Sequence, residues 1–86
     1  MEEFINVKVM SPHKILFEGK ALAVSSVNTD GKFDILPEHA NFITLVENQV
    51  IQITKEDKQP ISFTFTQALI YNESNKVSIY AEPLSL

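Results

Sequence analysis

An 86-residue chain with 44% hydrophobic and 21% charged residues has the size and composition of one globular domain, spanning residues 1–86. The absence of cysteine excludes disulfides and thiolate metal sites, and a net charge of −4 disfavours nucleic acid. All of the basic residues are lysines (8, 14, 20, 32, 55, 58 and 76), scattered along the chain, without the arginine fork that phosphate backbones reward.

The acidic opening MEEFINVKVM lacks the apolar core of a signal peptide. No apolar run approaches the roughly 20 residues of a membrane-spanning helix, so a soluble protein without direct membrane insertion is expected. In chain order, FINVKV alternates with Ile5, Val7 and Val9 inward and Asn6 and Lys8 outward. SPH (11–13) is a turn signal. ALAVSSVNT has apolar or small residues on both faces, which predicts a strand inside the core or one with a bulge near Ser25-Ser26. NTDGK follows, where Asp30-Gly31 is a strong hairpin signal because glycine adopts positive φ without a side-chain clash.

GKFDILPEHANFITL then places two apolar runs around PEHAN, a corner more elaborate than a bare hairpin needs. QVIQIT turns Ile51 and Ile53 inward and Val50 and Gln52 outward; KEDKQP is a turn. ISFTFT sets Ile61, Phe63 and Phe65 against Ser62, Thr64 and Thr66. TQALIYN puts Leu69 and Tyr71 on one side and Ile70 on the other, with the inward side open. After ESNK, KVSIYA alternates Val77, Ile79 and Ala81 with Lys76, Ser78 and Tyr80, and the EPLSL tail stops. The pattern predicts an all-β protein, a small two-sheet β-sandwich of about nine to ten short, mainly antiparallel strands.

Catalytic chemistry is thin. His13 and His39 each sit beside a proline turn without further metal ligands, and Glu38 points away from His39 in an extended segment. A strand would put Ser11 and His13 on one face, but Ser-Pro starts turns and no acidic orienter accompanies them. Glu2-Glu3 and Glu56-Asp57 read as solvated charge, and Gly19 and Gly31 are too far apart for a phosphate cradle. No catalytic, metal or cofactor site is expected. A binding role is left, with Phe33 and Phe42 as core aromatics and Lys32, Asp34, Glu38 and His39 as candidate contacts around the corner.

Three motifs in order carry a resemblance. They are Ser11-Pro12 with Leu16, Phe17 and Gly19; then Gly31, Phe33, Ile35, Pro37, His39 and Ala40; then Lys76, Val77, Ile79 and Ala81. Together, from Ile5 to Glu82, the chain resembles the β-sandwich domain of the F-type ATP synthase epsilon subunit. The departures are Asp34 and Glu38, where the family has glycine, and Thr66 with Gln67-Ala68, where it has a serine and a glycine pair. If those glycines supply positive φ, the loops here differ locally or carry strain.

The resemblance implies a noncatalytic rotor subunit at the foot of the central stalk, peripheral on the cytoplasmic face of the membrane. Its partners are the gamma subunit and the membrane c-ring. The ring-facing loop implied is Asp30, Gly31, Lys32 and Phe33; the gamma-facing positions are Ser11, His39 and Thr44. Lys32 stands where the family often has an acid. The chain given stops at Leu86, before the C-terminal helix pair of many relatives, so the expectation is the short form, without ATP binding or helix-mediated inhibition. The rival reading is a free-standing sandwich that binds a small ligand such as a carbohydrate, using Tyr71 and Tyr80.

Overall fold

The computed structural model describes residues 3–82, so the reading of the tail beyond Glu82 lies outside the described residues. Eight strands run through them: β1 (Ile5–Met10), β2 (Ile15–Asn28), β3 (Gly31–Ile35), β4 (Phe42–Glu47), β5 (Val50–Lys55), β6 (Pro60–Thr64), β7 (Gln67–Glu73) and β8 (Lys76–Glu82). The eight strands stand close to the expected nine or ten, and ILFEGKALAVSSVN is one continuous 14-residue strand. Gly19 sits inside it without breaking it.

Hydrogen bonding orders the strands β4-β7-β8-β1-β2-β5-β6, with β3 added beside β2. The β1–β8 pair is parallel; the other pairs among the described residues are antiparallel. The long β2 makes this path fold over. Its first half pairs with β1, and its second half lies between β3 and β5. One strand thus belongs to both layers of the sandwich. The irregularity predicted near Ser25-Ser26 falls earlier, between Ala21 and Ala23, where β2 leaves one layer for the other. A register shift at this point supplies the extra bend that such a crossing needs.

Both layers feed one core. Ile5, Val7 and Val9 from β1, Ile70 from β7 and Val77 and Ile79 from β8 meet Val24, Ile35, Ile51 and Ile53 from the other layer. These are the inward members of the alternating runs, as the period of two requires. Leu16, Phe17, Phe33, Phe42, Ile61, Phe63 and Phe65 close the sides of the core.

The loops show where glycine is missed. Asp34, Gln67 and Ala68 lie in regular strands, so glycine is not needed there. Glu38 is different: its φ is +70°, a left-handed conformation that disfavours a side chain. Ser74 (φ +51°) and Asn75 (φ +64°) form a two-residue hairpin turn between Glu73 and Lys76, with the sign pattern of a type I′ turn. Gly31, at φ +119°, closes the β2–β3 hairpin as the Asp-Gly signal predicted.

Candidate docking surfaces

The corner Leu36–Asn41 joins β3 to β4 and is clamped onto the β7–β8 hairpin. The Asn75 side chain accepts the Glu38 N–H at 2.7 Å and donates to Glu38 Oε2 at 3.0 Å. This reciprocal pair holds Glu38 in its strained conformation. Asn41 Oδ1 accepts from the Ser74 N–H at 3.1 Å. Beneath them Asn72, 1% exposed, donates through Nδ2 to the carbonyls of His39 (3.3 Å) and Ala40 (3.0 Å). Its Oδ1 is buried without a partner, a desolvation cost of about 1–3 kcal/mol that the donated bonds oppose. PEHAN is elaborate because a loop without glycine has to be tied down.

His39 is half-buried. Its ring lies 5.6 Å from the Phe42 ring, edge to face, and Nδ1 is 2.7 Å from the Ala40 carbonyl. That carbonyl can only accept, so the proton of a neutral ring belongs on Nδ1, leaving Nε2 an acceptor. Phe42 in turn packs 5.4 Å from Phe33. Phe33 is therefore a half-buried member of the core wall, while Asp30, Lys32 and Asp34 around it are exposed.

The hairpin tip is braced as well. Asn28 Oδ1 accepts the Asp30 N–H at 2.9 Å, and Asn28 Nδ2 donates to Thr44 Oγ1 at 3.0 Å. Thr44 so ties edge strand β4 to the end of β2. Ser11 closes its own turn, with its backbone N–H 2.9 Å from the Lys14 carbonyl and its hydroxyl bonded to both backbone groups of Lys14. His39 and Thr44 share the β4 side of the molecule. Ser11 lies beyond the far end of β1, next to Tyr80 rather than near Asn72, so the three do not form one compact cluster.

The outer face of the β4-β7-β8-β1-β2 layer carries a feature that no short stretch of sequence displays. Strand register lines up Leu45, Leu69, Tyr80, Met10 and Ile15 as one row across five strands. Leu45 is 47% exposed, Leu69 38%, Tyr80 51% and Ile15 52%. Ile43, 60% exposed, and Tyr71 begin the next row. Exposed apolar strips on a domain surface commonly mark interaction sites. TQALIYN had left its inward side open; Ala68, Ile70 and Asn72 take it, so Leu69 and Tyr71 face out. The Glu73 carboxylate next to Tyr71, and then burial, push its hydroxyl pKa above the ordinary value.

Among the described residues no three His, Asp or Glu side chains gather into a group that could hold a metal ion. Among the described residues no helix is long and apolar enough to cross a membrane.

Residues 4–84 match the family described as the ATP synthase delta/epsilon chain, β-sandwich domain. The ATP synthase epsilon chain of Sulfurimonas denitrificans is 32% identical over 78 residues, covering 91% of this chain and 60% of the relative. That of Chlorobium limicola is 23% identical over 84 residues, covering 98% of this chain and 96% of the relative. The first of these is typical: the chain spans about 60% of the length of most of the curated relatives it matches. Among solved structures, a chain of the Euglena gracilis mitochondrial ATP synthase (OSCP/F1/c-ring) superposes with a TM-score of 0.85 at 11% identity, covering 94% of this chain and 52% of that one. A chain of the Tetrahymena thermophila mitochondrial ATP synthase central stalk and c-ring gives 0.72 at 17% identity, covering 90% and 62%. At these identities the superpositions speak for the fold.

Proposed function

The chain belongs to the ATP synthase delta/epsilon-chain β-sandwich family, and we propose that it acts as a noncatalytic central-stalk subunit that docks the gamma subunit to the membrane c-ring. The observation that carries this reading is the family match over nearly the whole chain, residues 4–84. In this role the protein makes and breaks no bonds. It transmits torque by being stiff: a close-packed core resists shear, and a sheet whose long strand serves both layers cannot let one layer slide on the other.

The ring-facing contact is the braced hairpin tip, Asp30, Gly31 and Lys32, with Phe33 as the half-buried root behind it. Lys32 reaches the ring as a point charge. Its preferred counterpart is a carboxylate or carbonyl on a polar ring loop. The gamma-facing contacts are His39 and Thr44 on the β4 side and Ser11 at the other end of the layer. Every one of these groups is held by an internal hydrogen bond, as suits a contact that must not yield under load.

In the complex the subunit lies peripherally on the cytoplasmic face of the membrane, as part of the ion-driven machine. Mixing the protein with purified gamma subunit and resolving the mixture by size-exclusion chromatography tests the reading. Co-elution is expected; separate elution, combined with retention on a carbohydrate array through Tyr71 and Tyr80, overturns it.

A further inference from the structure

Strand β6 ends the hydrogen-bonded path, and among the described residues it pairs with β5 alone. The turn before it decides which of its backbone groups face outward. The Lys55 N–H donates to the Gln59 carbonyl at 3.0 Å, so these two positions form a hydrogen-bonded pair. Bonded and non-bonded pairs alternate along an antiparallel ladder, so Thr54–Pro60 is non-bonded while Ile53–Ile61 and Ile51–Phe63 are bonded. Pro60 agrees, since a residue without an N–H fits a position that donates none to β5. The N–H and C=O groups of Ser62 and Thr64 therefore point away from the sheet.

The other open edges are guarded. Strand β3 carries exposed Lys32 and Asp34, and β4 ends in Glu47 and is tied to β2 through Thr44. Such devices discourage strand addition. Strand β6 has none: the chain is uncharged from Gln59 to Asn72, and ISFTFT is β-branched and aromatic apart from Ser62. Its inner side is also unfinished. Ile61, Phe63 and Phe65 are only half-buried, and the Phe63 and Phe65 rings stack at 5.7 Å, 12° from parallel.

We propose that β6 is a self-pairing edge, through which two copies of the free protein associate antiparallel about a two-fold axis at Phe63. The strand is its own complement. Setting Ser62 opposite Thr64 of the second copy, and Thr64 opposite its Ser62, uses every outward N–H and C=O of both residues. A register shifted toward the turn would set Thr64 against Pro60, which has no N–H to give. In the proposed register Phe63 faces its own copy across a non-bonded pair, the closer kind, and Ile61 faces Phe65. The half-open aromatic rim of each molecule is covered by the same rim of the other, which a strand without aromatic residues at this spacing would not do. The adjoining turn holds Lys55, Glu56, Asp57 and Lys58, so no net charge opposes the approach. Pairing through β6 leaves the apolar row on the other layer free, so the inference stands apart from the rotor reading. A strand edge this short is a small interface, so association is weak, with a dissociation constant on the order of 100 µM.

Sedimentation equilibrium from about 10 µM to about 1 mM, which brackets that value, tests the proposal. It is run on wild type and on variants of the two exposed positions, each first checked for an unchanged melting profile. Wild type is expected to pass from monomer to dimer mass and no further, since pairing consumes the unguarded edge. Thr64→Pro removes an outward N–H without touching the ladder to β5, and should weaken association by about tenfold or more. Ser62→Lys/Thr64→Lys sets ammonium groups against one another and should stay monomeric in dilute buffer. Ser62→Lys/Thr64→Glu changes the same positions but sets opposite charges across both pairs, and should dimerise at least as tightly as wild type. That contrast belongs to the Ser62–Thr64 register alone, and it decides the matter where Thr64→Pro folds poorly. Monomer mass at every concentration, growth beyond the dimer, association unchanged in the double lysine variant, or equal loss in both double variants overturns the inference. None of these outcomes bears on gamma binding.

Discussion

Asn75 offers the sharpest test of how the corner is held. Replacing it by glycine leaves the backbone at ease, because glycine accepts the φ of +64° at that turn position. What is lost is the pair of bonds to Glu38, at 2.7 and 3.0 Å. Each exposed bond is worth about 0.5–1.5 kcal/mol net, and glycine's freedom in the unfolded chain adds a few tenths. Water replaces part of the loss at an exposed site, so Asn75→Gly should destabilise by about 1 kcal/mol, or about 4–8 °C in melting temperature for a domain of this size.

Asn75→Asp keeps the acceptor for the Glu38 N–H but turns the donor into an oxygen facing a carboxylate. Repulsion raises the folded-state pKa of that pair, so the penalty is full at pH 7, fades as the pH falls toward the ordinary carboxylate range, and is gone below about 4. Thermal unfolding followed by circular dichroism, at both pH values and for both variants, reads these effects. A wild-type melting temperature for Asn75→Gly, together with a pH-independent penalty for Asn75→Asp, would refute the clamp.

Further outcomes follow from the same geometry. Glu38→Gly removes the left-handed strain but also the carboxylate bond, so it should melt within about 2 °C of wild type, whereas Glu38→Ala keeps the strain and should fall below it by about 1 kcal/mol in chemical denaturation. Ile70→Ala, at a fully buried position where both layers meet, should cost about 2–5 kcal/mol in the same experiment. Lys32→Ala should leave the melting profile unchanged and weaken co-purification with the c-ring; Phe33→Ala is a poor probe of the ring because that ring packs against Phe42 and the core. Glu73→Gln should bring the Tyr71 phenol back toward its ordinary pKa, seen as an earlier phenolate absorbance rise in alkaline titration.

Much of this architecture was legible in the sequence. Alternation in FINVKV, QVIQIT and KVSIYA identified the buried side of three strands, and Asp30-Gly31 marked its hairpin, because side-chain period and turn chemistry are local properties. The absent glycine at Glu38 pointed to strain, and φ there is +70°. Asp34, Gln67 and Ala68 gave the same signal, yet their backbone is ordinary strand. Only the hydrogen bonds from Asn75, 37 residues away, explain how strain at Glu38 is tolerated.

The apolar row on the outer face was invisible for a physical reason. Leu45, Leu69, Tyr80, Met10 and Ile15 become neighbours through register between strands, including the parallel β1–β8 pair that joins the two ends of the chain. Lys8, Lys20 and Lys76 look scattered until that register is known. ALAVSSVNT, with small and apolar residues on both faces, is the second half of the 14-residue β2, a strand that changes layers midway.

The most direct measurement uses purified c-ring immobilised in detergent, gamma subunit in solution, and this protein as the only variable. A rigid bridge between the two predicts that the ring retains gamma far better when the protein is present, and that Lys32→Ala reduces the gain. Equal retention of gamma with and without the protein would contradict the account.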